Sequence, residues 1–350
     1  MKILIVDDSA LMRRHLSLLF EKDGGFEVRL ARNGEEAVKE NLEFEPDVIT
    51  LDINMPEMDG LTALSQIMLT RRVPVVMVSS LTEKGAMATF EALALGAIDY
   101  VAKPDGTISG TIQKIEKEIL RKVKIAARAN VREKNQPENI LNDEGERRKV
   151  LKHRIVHTNE SGKIVIIGVS TGGPSTLDRI LPEIPGNFPA PIVIAQHMPP
   201  FFTGPFAKRL DGICNLTVTE VTKPMELQDG NIYIGKGGTD IIFGDRSGRS
   251  FVMPKPESPE FHWHPSVELL GRTALDHYKA DKIVGVMLTG MGNDGAVSFS
   301  EIKKKGGKTI AESEETAVVF GMPKELIAQK GASITLPSYK VGAQIKRWIL

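Results

Sequence analysis

Residues 2–20 read KILIVDDSALMRRHLSLLF: a short apolar run, an acidic turn, then Leu11, Met12, Leu16, Leu19 and Phe20 recurring at helical spacing. A strand that breaks into an amphipathic helix opens an α/β unit, and the rhythm continues downstream. FEVRLA precedes EEAVKENLE, DVITLD precedes LTALSQIML, VPVVMVS precedes EKGAMATFEALALG, and IDYVAK follows. Five such strands joined by right-handed crossovers imply a doubly wound parallel sheet with helices on both faces. Ligands of such sheets gather at the C-terminal ends of the strands.

Working outward, IQKIEKEILRKVKIAARA fits a closing helix with a basic outer face, and VREKNQPENILNDEGERRK is polar and poor in aromatics, as an exposed linker is. A second α/β rhythm starts at Lys163, with strands expected at IVIIGV, PIVIAQ and KIVGVMLTG. Between the last two, TVTEV, NIYIG, DIIFGD and SFVMP are short and turn-punctuated, and are expected to form hairpin structure inserted into a mostly parallel core. The expected division is a domain over 1–125, a linker over 126–160 and a second domain over 161–350.

The 350 residues suffice for two cores, and 41% hydrophobic with 26% charged residues belongs to a soluble globular chain. The longest apolar runs are too short to span a bilayer, and MKILIVDDSA puts acids where a secretory leader needs apolar residues, so a cytoplasmic protein without membrane insertion is expected. The single Cys214 cannot pair internally and reads as a buried small hydrophobe. Residues 1–106 carry 11 Lys and Arg against 18 Asp and Glu, and no segment has the basic excess of a nucleic-acid-binding module.

Asp7 and Asp8 end the first strand and Asp52 ends the third, strands that neighbour each other in a doubly wound sheet. Converging carboxylates repel unless a cation sits among them, and hard oxygens suit Mg²⁺. Ser79 and Lys103, at the ends of strands four and five, aim a hydroxyl and a cation at the same corner, a set suited to receiving a phosphoryl group.

In the second domain, IVIIGVSTGG (164–173) runs from strand into a glycine turn that can either cradle a phosphate or present Ser170 as a nucleophile. A nucleophilic serine needs a base and an orienting acid. PIVIAQ ends in His197, and IVGVMLTG leads into MGNDG with Asp294, so adjacent strand ends deliver all three types to one face. Singly, Ser170 is an ordinary helix cap, His197 a half-buried histidine and Asp294 a turn residue. The alternative, a receiver-regulated nucleotide-binding module with the glycine turn as phosphate loop, calls for an acidic ribose contact about 20 residues on and finds PIVIAQHMPP instead. A DNA-binding output finds no basic face either.

Residues 1–125, through DD, LDINMPEMDG, VSS and KP, resemble a two-component receiver domain of flavodoxin-like fold. VSTGG, AQHMPP, HPSVELL, MLTGMGNDG and GGKTIAESEETAVVFGMP resemble the catalytic domain of the chemotaxis protein-glutamate methylesterase (CheB) family. The resemblance implies phosphorylation of Asp52 by a chemotaxis histidine kinase, Mg²⁺ held by Asp7, Asp8, Asp52 and the Asn54 carbonyl, and Ser79, Tyr100 and Lys103 as switch residues, with a cis Pro104. It implies Ser170 as nucleophile, His197 as general base and acid, Asp294 as orienting carboxylate, and the Met291 N–H as oxyanion donor. The Thr171 N–H, next after the nucleophile, is a further oxyanion donor on mechanical grounds. The implied activity is phosphorylation-activated hydrolysis of glutamate methyl esters on methyl-accepting chemotaxis receptors, with glutamine deamidation, and no cofactor in the esterase site. The receiver is expected to cover that site until Asp52 is phosphorylated. Phe201, where the family pattern calls for glycine, and Trp263 with His264 depart from it. His262 and His264 are expected to wall the site and not to bind a metal.

Overall fold

A computed structural model of the chain describes residues 1–79, 82–103, 109–129 and 162–350. Two compact units emerge, Met1–Leu151 and Lys152–Leu350. Most of the expected linker, along with Pro104, lies outside the described residues.

In the first unit, strands β1 (Lys2–Val6), β2 (Glu27–Ala31), β3 (Val48–Asp52), β4 (Val75–Ser79) and β5 (Asp99–Ala102) form a sheet of order β2-β1-β3-β4-β5. Every pairing is parallel. Helices α1 (Ala10–Asp23), α2 (Gly34–Glu43), α3 (Gly60–Thr70) and α4 (Glu83–Leu95) make the connections, and α5 (Ser109–Ala126) follows β5. Ser9, Asn33, Asp59 and Thr82 cap the first four by accepting a backbone N–H, so each acid or hydroxyl turn also starts a helix. The chain leaves β1 to one side for β2 and returns to the other for β3, which opens a crevice at the ends of β1 and β3.

The second unit is built on β6 (Ile164–Val169), all six of whose residues are buried. A strand apolar on both faces belongs inside a parallel sheet. The remaining strands are β7 (Ile192–Gln196), β8 (Thr217–Val221), β9 (Met225–Glu226), β10 (Asn231–Gly235), β11 (Thr239–Arg246), β12 (Arg249–Pro256), β13 (Ile283–Met287), β14 (Lys308–Glu312) and β15 (Ile334–Leu336). Six of them join β6 in a seven-stranded sheet of order β15-β14-β13-β6-β7-β10-β8, and β11, β12 and β9 form a separate three-stranded sheet. Helices α6 (Gly173–Ile180), α7 (Pro200–Ile213), α8 (Val267–His277), α9 (Ala296–Lys304), α10 (Met322–Ala328) and α11 (Ser338–Ile349) complete the unit. Here too the order reverses, now around β6, between β7 on one side and β13 on the other.

The expected hairpin insertion is half of what the sequence suggested. DIIFGD and SFVMP pair antiparallel as β11 and β12, around Ser247 and Gly248, both at positive φ (55° and 74°), as a tight hairpin turn requires. TVTEV and NIYIG, in contrast, join the main sheet as parallel strands β8 and β10. Turn punctuation marks where a strand ends and does not fix its direction, and the nearly continuous burial of β10 is the better guide.

Among the described residues, no helix is long and apolar enough to cross a membrane. Gly168 on β6 lets Val267, the first residue of α8, pack directly on the strand, and a β-carbon at 168 would overlap the Val267 methyls. Gly168→Ala should therefore cost about 1–3 kcal/mol through overpacking. Urea unfolding of the second unit, followed separately from the first, should show that loss.

Candidate functional site

The polypeptide leaves β6 through Ser170 and turns at once. The Ser170 carbonyl accepts the Gly173 N–H at 2.8 Å, Gly172 sits in the left-handed region at φ 79°, and α6 begins. A β-carbon at 172 would lie 2.5 Å from Val318 Cβ, so glycine is required there twice over. The Ser170 N–H donates to the Thr289 carbonyl at 2.9 Å, tying this turn to the loop after β13. On the other side, Gln196 Nε2 donates to the Ser170 and His197 carbonyls, both at 3.0 Å, fixing the end of β7 against it.

Three side chains meet across these strand ends. His197 Nδ1 lies 3.1 Å from Ser170 Oγ, and His197 Nε2 lies 2.8 Å from Asp294 Oδ2. Ser170 and Asp294 are only 7% and 5% exposed, so the contacts are shielded from competing water. The acid points at Nε2 and the hydroxyl at Nδ1, the reverse of the ring assignment in chymotrypsin-type triads. The roles depend on geometry, so either ring edge can serve.

Asp294 is held at the N-terminus of α8. Its Oδ2 accepts the Val267 N–H at 2.8 Å, and its Oδ1 accepts the Glu268 N–H at 2.9 Å and the Ser266 hydroxyl at 3.2 Å. Burial alone would raise the carboxyl, but the His197 hydrogen bond and charge and the two N–H groups outweigh it, and its pKa falls below the ordinary value. It is an anion throughout the neutral range. Ser266, Val267 and Glu268 were not singled out as its partners from sequence; a Ser placed just before an apolar helical run was the available signal.

The loop that follows β13 runs alongside the serine. A β-carbon on Gly290 would come within 2.7 Å of Ser170 Cβ, so the Gly290–Met291 backbone lies directly against it. Gly290 N–H donates to the Val319 carbonyl at 3.0 Å, and its carbonyl accepts Gly321 N–H at 3.1 Å and Met322 N–H at 2.9 Å. Thr289 ties three segments together, its hydroxyl donating to the Thr171 carbonyl at 2.9 Å and accepting the Val319 N–H at 3.0 Å. Its N–H donates to Glu312 Oε2 at 2.8 Å. Glu312 is fully buried, and burial pushes its carboxyl up to about 7 in spite of hydrogen bonds from Thr316 and Thr289. Neither Thr289 nor Glu312 was legible as a site residue, because their partners come from distant turns.

His264 Nδ1 lies 2.8 Å from Asp240 Oδ1. Phe201 begins α7 in an exposed position.

At the switch point of the first sheet, Lys103 Nζ lies 2.7 Å from Asp52 Oδ2 and 2.9 Å from Asp7 Oδ2. Carboxylate oxygens of Asp7, Asp8 and Asp52 lie within 4.8 Å of one another, the one such grouping among the described residues. An all-carboxylate oxygen set fits a small hard cation such as Mg²⁺. Burial raises the Asp52 carboxyl above its ordinary value, opposed by Lys103 and reinforced by Asp7. For Lys103, burial works against the charge, but Asp52 and Asp7 raise it further. Gly60 brings the loop back over Asp52, its N–H donating to the Ile53 carbonyl at 2.9 Å, where a β-carbon would overlap the Asp52 carbonyl. Asn54 is exposed in that loop. Tyr100 is buried, with Lys122 Nζ 4.8 Å from its ring centroid. The Ser79 side chain lies outside the described residues.

Comparison with known proteins matches the family described as CheB methylesterase to residues 165–345 and the response regulator receiver domain to residues 3–113. A Rhodospirillum rubrum protein named protein-glutamate methylesterase/protein-glutamine glutaminase 3 is 51% identical over 99% of this chain and 96% of its own length. A Carboxydothermus hydrogenoformans protein named protein-glutamate methylesterase/protein-glutamine glutaminase 2 is 49% identical over 98% of each chain. The Thermotoga maritima CheB methylesterase catalytic domain superposes with a TM-score of 0.51 at 43% identity, covering 53% of this chain and 98% of that one.

The Glu312 carboxyl gives the second unit a defined pH response. Above the ordinary carboxyl pKa of 4.5 an unfolded Glu has released its proton, whereas the folded one keeps it up to about 7. Between those values the native state binds more protons, so stability present at acid pH is lost as pH rises, by at most about 1.4 kcal/mol per pH unit. Glu312→Gln should flatten that slope between pH 5 and 7 in thermal unfolding.

Proposed function

The chain belongs to the CheB methylesterase family, and we propose that it hydrolyses glutamate methyl esters on methyl-accepting chemotaxis receptors, releasing methanol, under control of phosphorylation in its receiver domain. The observation that carries this reading is the relay from Ser170 Oγ to His197 Nδ1 at 3.1 Å and from His197 Nε2 to Asp294 Oδ2 at 2.8 Å. The functional division is a receiver over 1–125, a linker over 126–160 and a catalytic domain over 161–350.

Ser170 Oγ attacks the ester carbonyl while His197 Nδ1 takes its proton. The imidazolium that forms is paired with Asp294, whose own charge is fixed by the α8 N-terminus. The Met291 and Thr171 N–H groups hold the oxyanion, each donor of this kind contributing about 10²- to 10³-fold. His197 returns the proton to the departing methoxide, which leaves as methanol, and Ser170 is left acylated. Water then attacks the acyl carbon with His197 as base, and the glutamate carboxylate is released. The same steps on a glutamine side chain expel ammonia, which is the glutaminase half of the relatives' names. No cofactor is assigned to this site.

In the receiver, Asp52 accepts a phosphoryl group from a chemotaxis histidine kinase. Asp7, Asp8, Asp52 and the Asn54 carbonyl would hold Mg²⁺, which would supply positive charge to offset that of the phosphoryl oxygens. Lys103 pairs with the phosphate, Ser79 contacts it, and Tyr100 responds to it. The protein works in the cytoplasm, where the kinase and the receptors' methylated helices are found together.

Ser170→Ala should abolish methanol release from methylated receptor membranes, and Asp294→Asn should lower kcat by about 10³- to 10⁴-fold. A small phosphodonor such as acetyl phosphate should raise the rate of the native protein and leave Asp52→Asn at its basal rate. Equal stimulation of both would refute the receiver assignment.

A further inference from the structure

Trp263 is left without a task by the chemistry above. Its indole lies parallel to the His197 imidazole, with ring centroids 5.7 Å apart and planes inclined by 8°. The far edge of the indole reaches the loop beyond Met291, where a β-carbon on Gly292 would lie 3.0 Å from its Cη2. Gly292, at φ 90°, thus leaves the space in which the ring sits, wedged between the imidazole and the loop. The segment that carries Trp263 is anchored from below by Asp240, which is fully buried on β11. That carboxylate accepts N–H groups of Ser258 and Ser266, both at 2.9 Å, and meets His264 Nδ1 at 2.8 Å.

We propose that Trp263 is a positioning residue whose indole face stabilises the His197 imidazolium formed when the ring takes the Ser170 proton. The inference rests on the Ser170–His197–Asp294 reading. An aromatic face is electronegative and attracts a cation centred within about 6 Å, more strongly when the pair is shielded from water. Neutral imidazole gains far less from it, so the contact is worth more after proton transfer than before, which is the condition for accelerating the step. The stack also fixes the imidazole plane, keeping one ring nitrogen on Ser170 and the other on Asp294.

The groups facing the ring from the surrounding elements are few. Asp294 contacts it at 2.8 Å and Ser170 at 3.1 Å. His262 stands edge-on to the indole, centroids 5.9 Å apart, and His264 is engaged by Asp240. Asp294 already favours the cation, and the indole adds to it from the orthogonal direction.

The test uses the full-length protein and its Trp263→Phe and Trp263→Leu variants, with circular dichroism as the check on folding. Trp263→Leu should lower kcat/KM for methanol release about three- to tenfold, through kcat with KM little changed, and Trp263→Phe should recover part of it. The acid limb of the rate profile should move to lower pH by about half to one unit in the Leu variant, because the cation has lost its partner. An activity-independent readout is the ¹³Cε1 ring signal of His197, assigned by its loss in His197→Gln. Its titration midpoint should fall in the order native, Phe, Leu. Coincident midpoints in all three proteins would overturn the proposal even if activity fell, since a packing role alone predicts that result. If the native protein released no methanol, the esterase reading would fail while the order of midpoints still decided the role of Trp263.

Discussion

A carboxylate buried to the extent of Asp294 stays charged only if its surroundings supply opposite charge and donors, and here four groups do so. Two are the first N–H groups of α8, one is the Ser266 hydroxyl that caps the same helix, and one is the His197 ring. This arrangement binds the loop after β13, the start of α8 and the end of β7 into one rigid corner. Moving any of the three would strand a charge in a dry interior, at a cost of several kcal/mol. The placement of the His197 ring beside Ser170 is therefore enforced by electrostatics that also hold the fold together.

The second constraint is topological. Because β6 lies between β7 and β13 in a parallel sheet, the residues that leave these strands are neighbours whatever their separation in sequence. The receiver uses the same device, with β1 beside β3 and two acids brought to a lysine from β5. The two units exploit one crevice type in opposite ways: one gathers three carboxylates beside a lysine, and the other isolates a single anion behind an imidazole.

That logic explains what could be read in advance. Strand order in doubly wound sheets follows from alternating patterns and crossover handedness, so the convergence of Ser170, His197 and Asp294, and of Asp7 and Asp52 with Lys103, was accessible from strand ends alone. The direction of β8 and β10 was not, since short strands bounded by turns look alike in either orientation. The supporting residues were hidden for a different reason. Thr289 and Glu312 matter because of hydrogen bonds between loops far apart in sequence, and Trp263 because a segment anchored by Asp240 folds over the imidazole. Periodicity encodes elements and their order, but not which turns will touch.

The hydrogen bond from Ser170 N–H to the Thr289 carbonyl has its own consequence for substrate recognition. In chymotrypsin-type enzymes the nucleophile's own amide helps to bind the oxyanion. Here that amide is already committed to the Thr289 carbonyl, so an incoming carbonyl oxygen does not find it free. The same bond ties the turn after β6 to the loop after β13, so Ser170 cannot shift toward a ligand without carrying that loop with it.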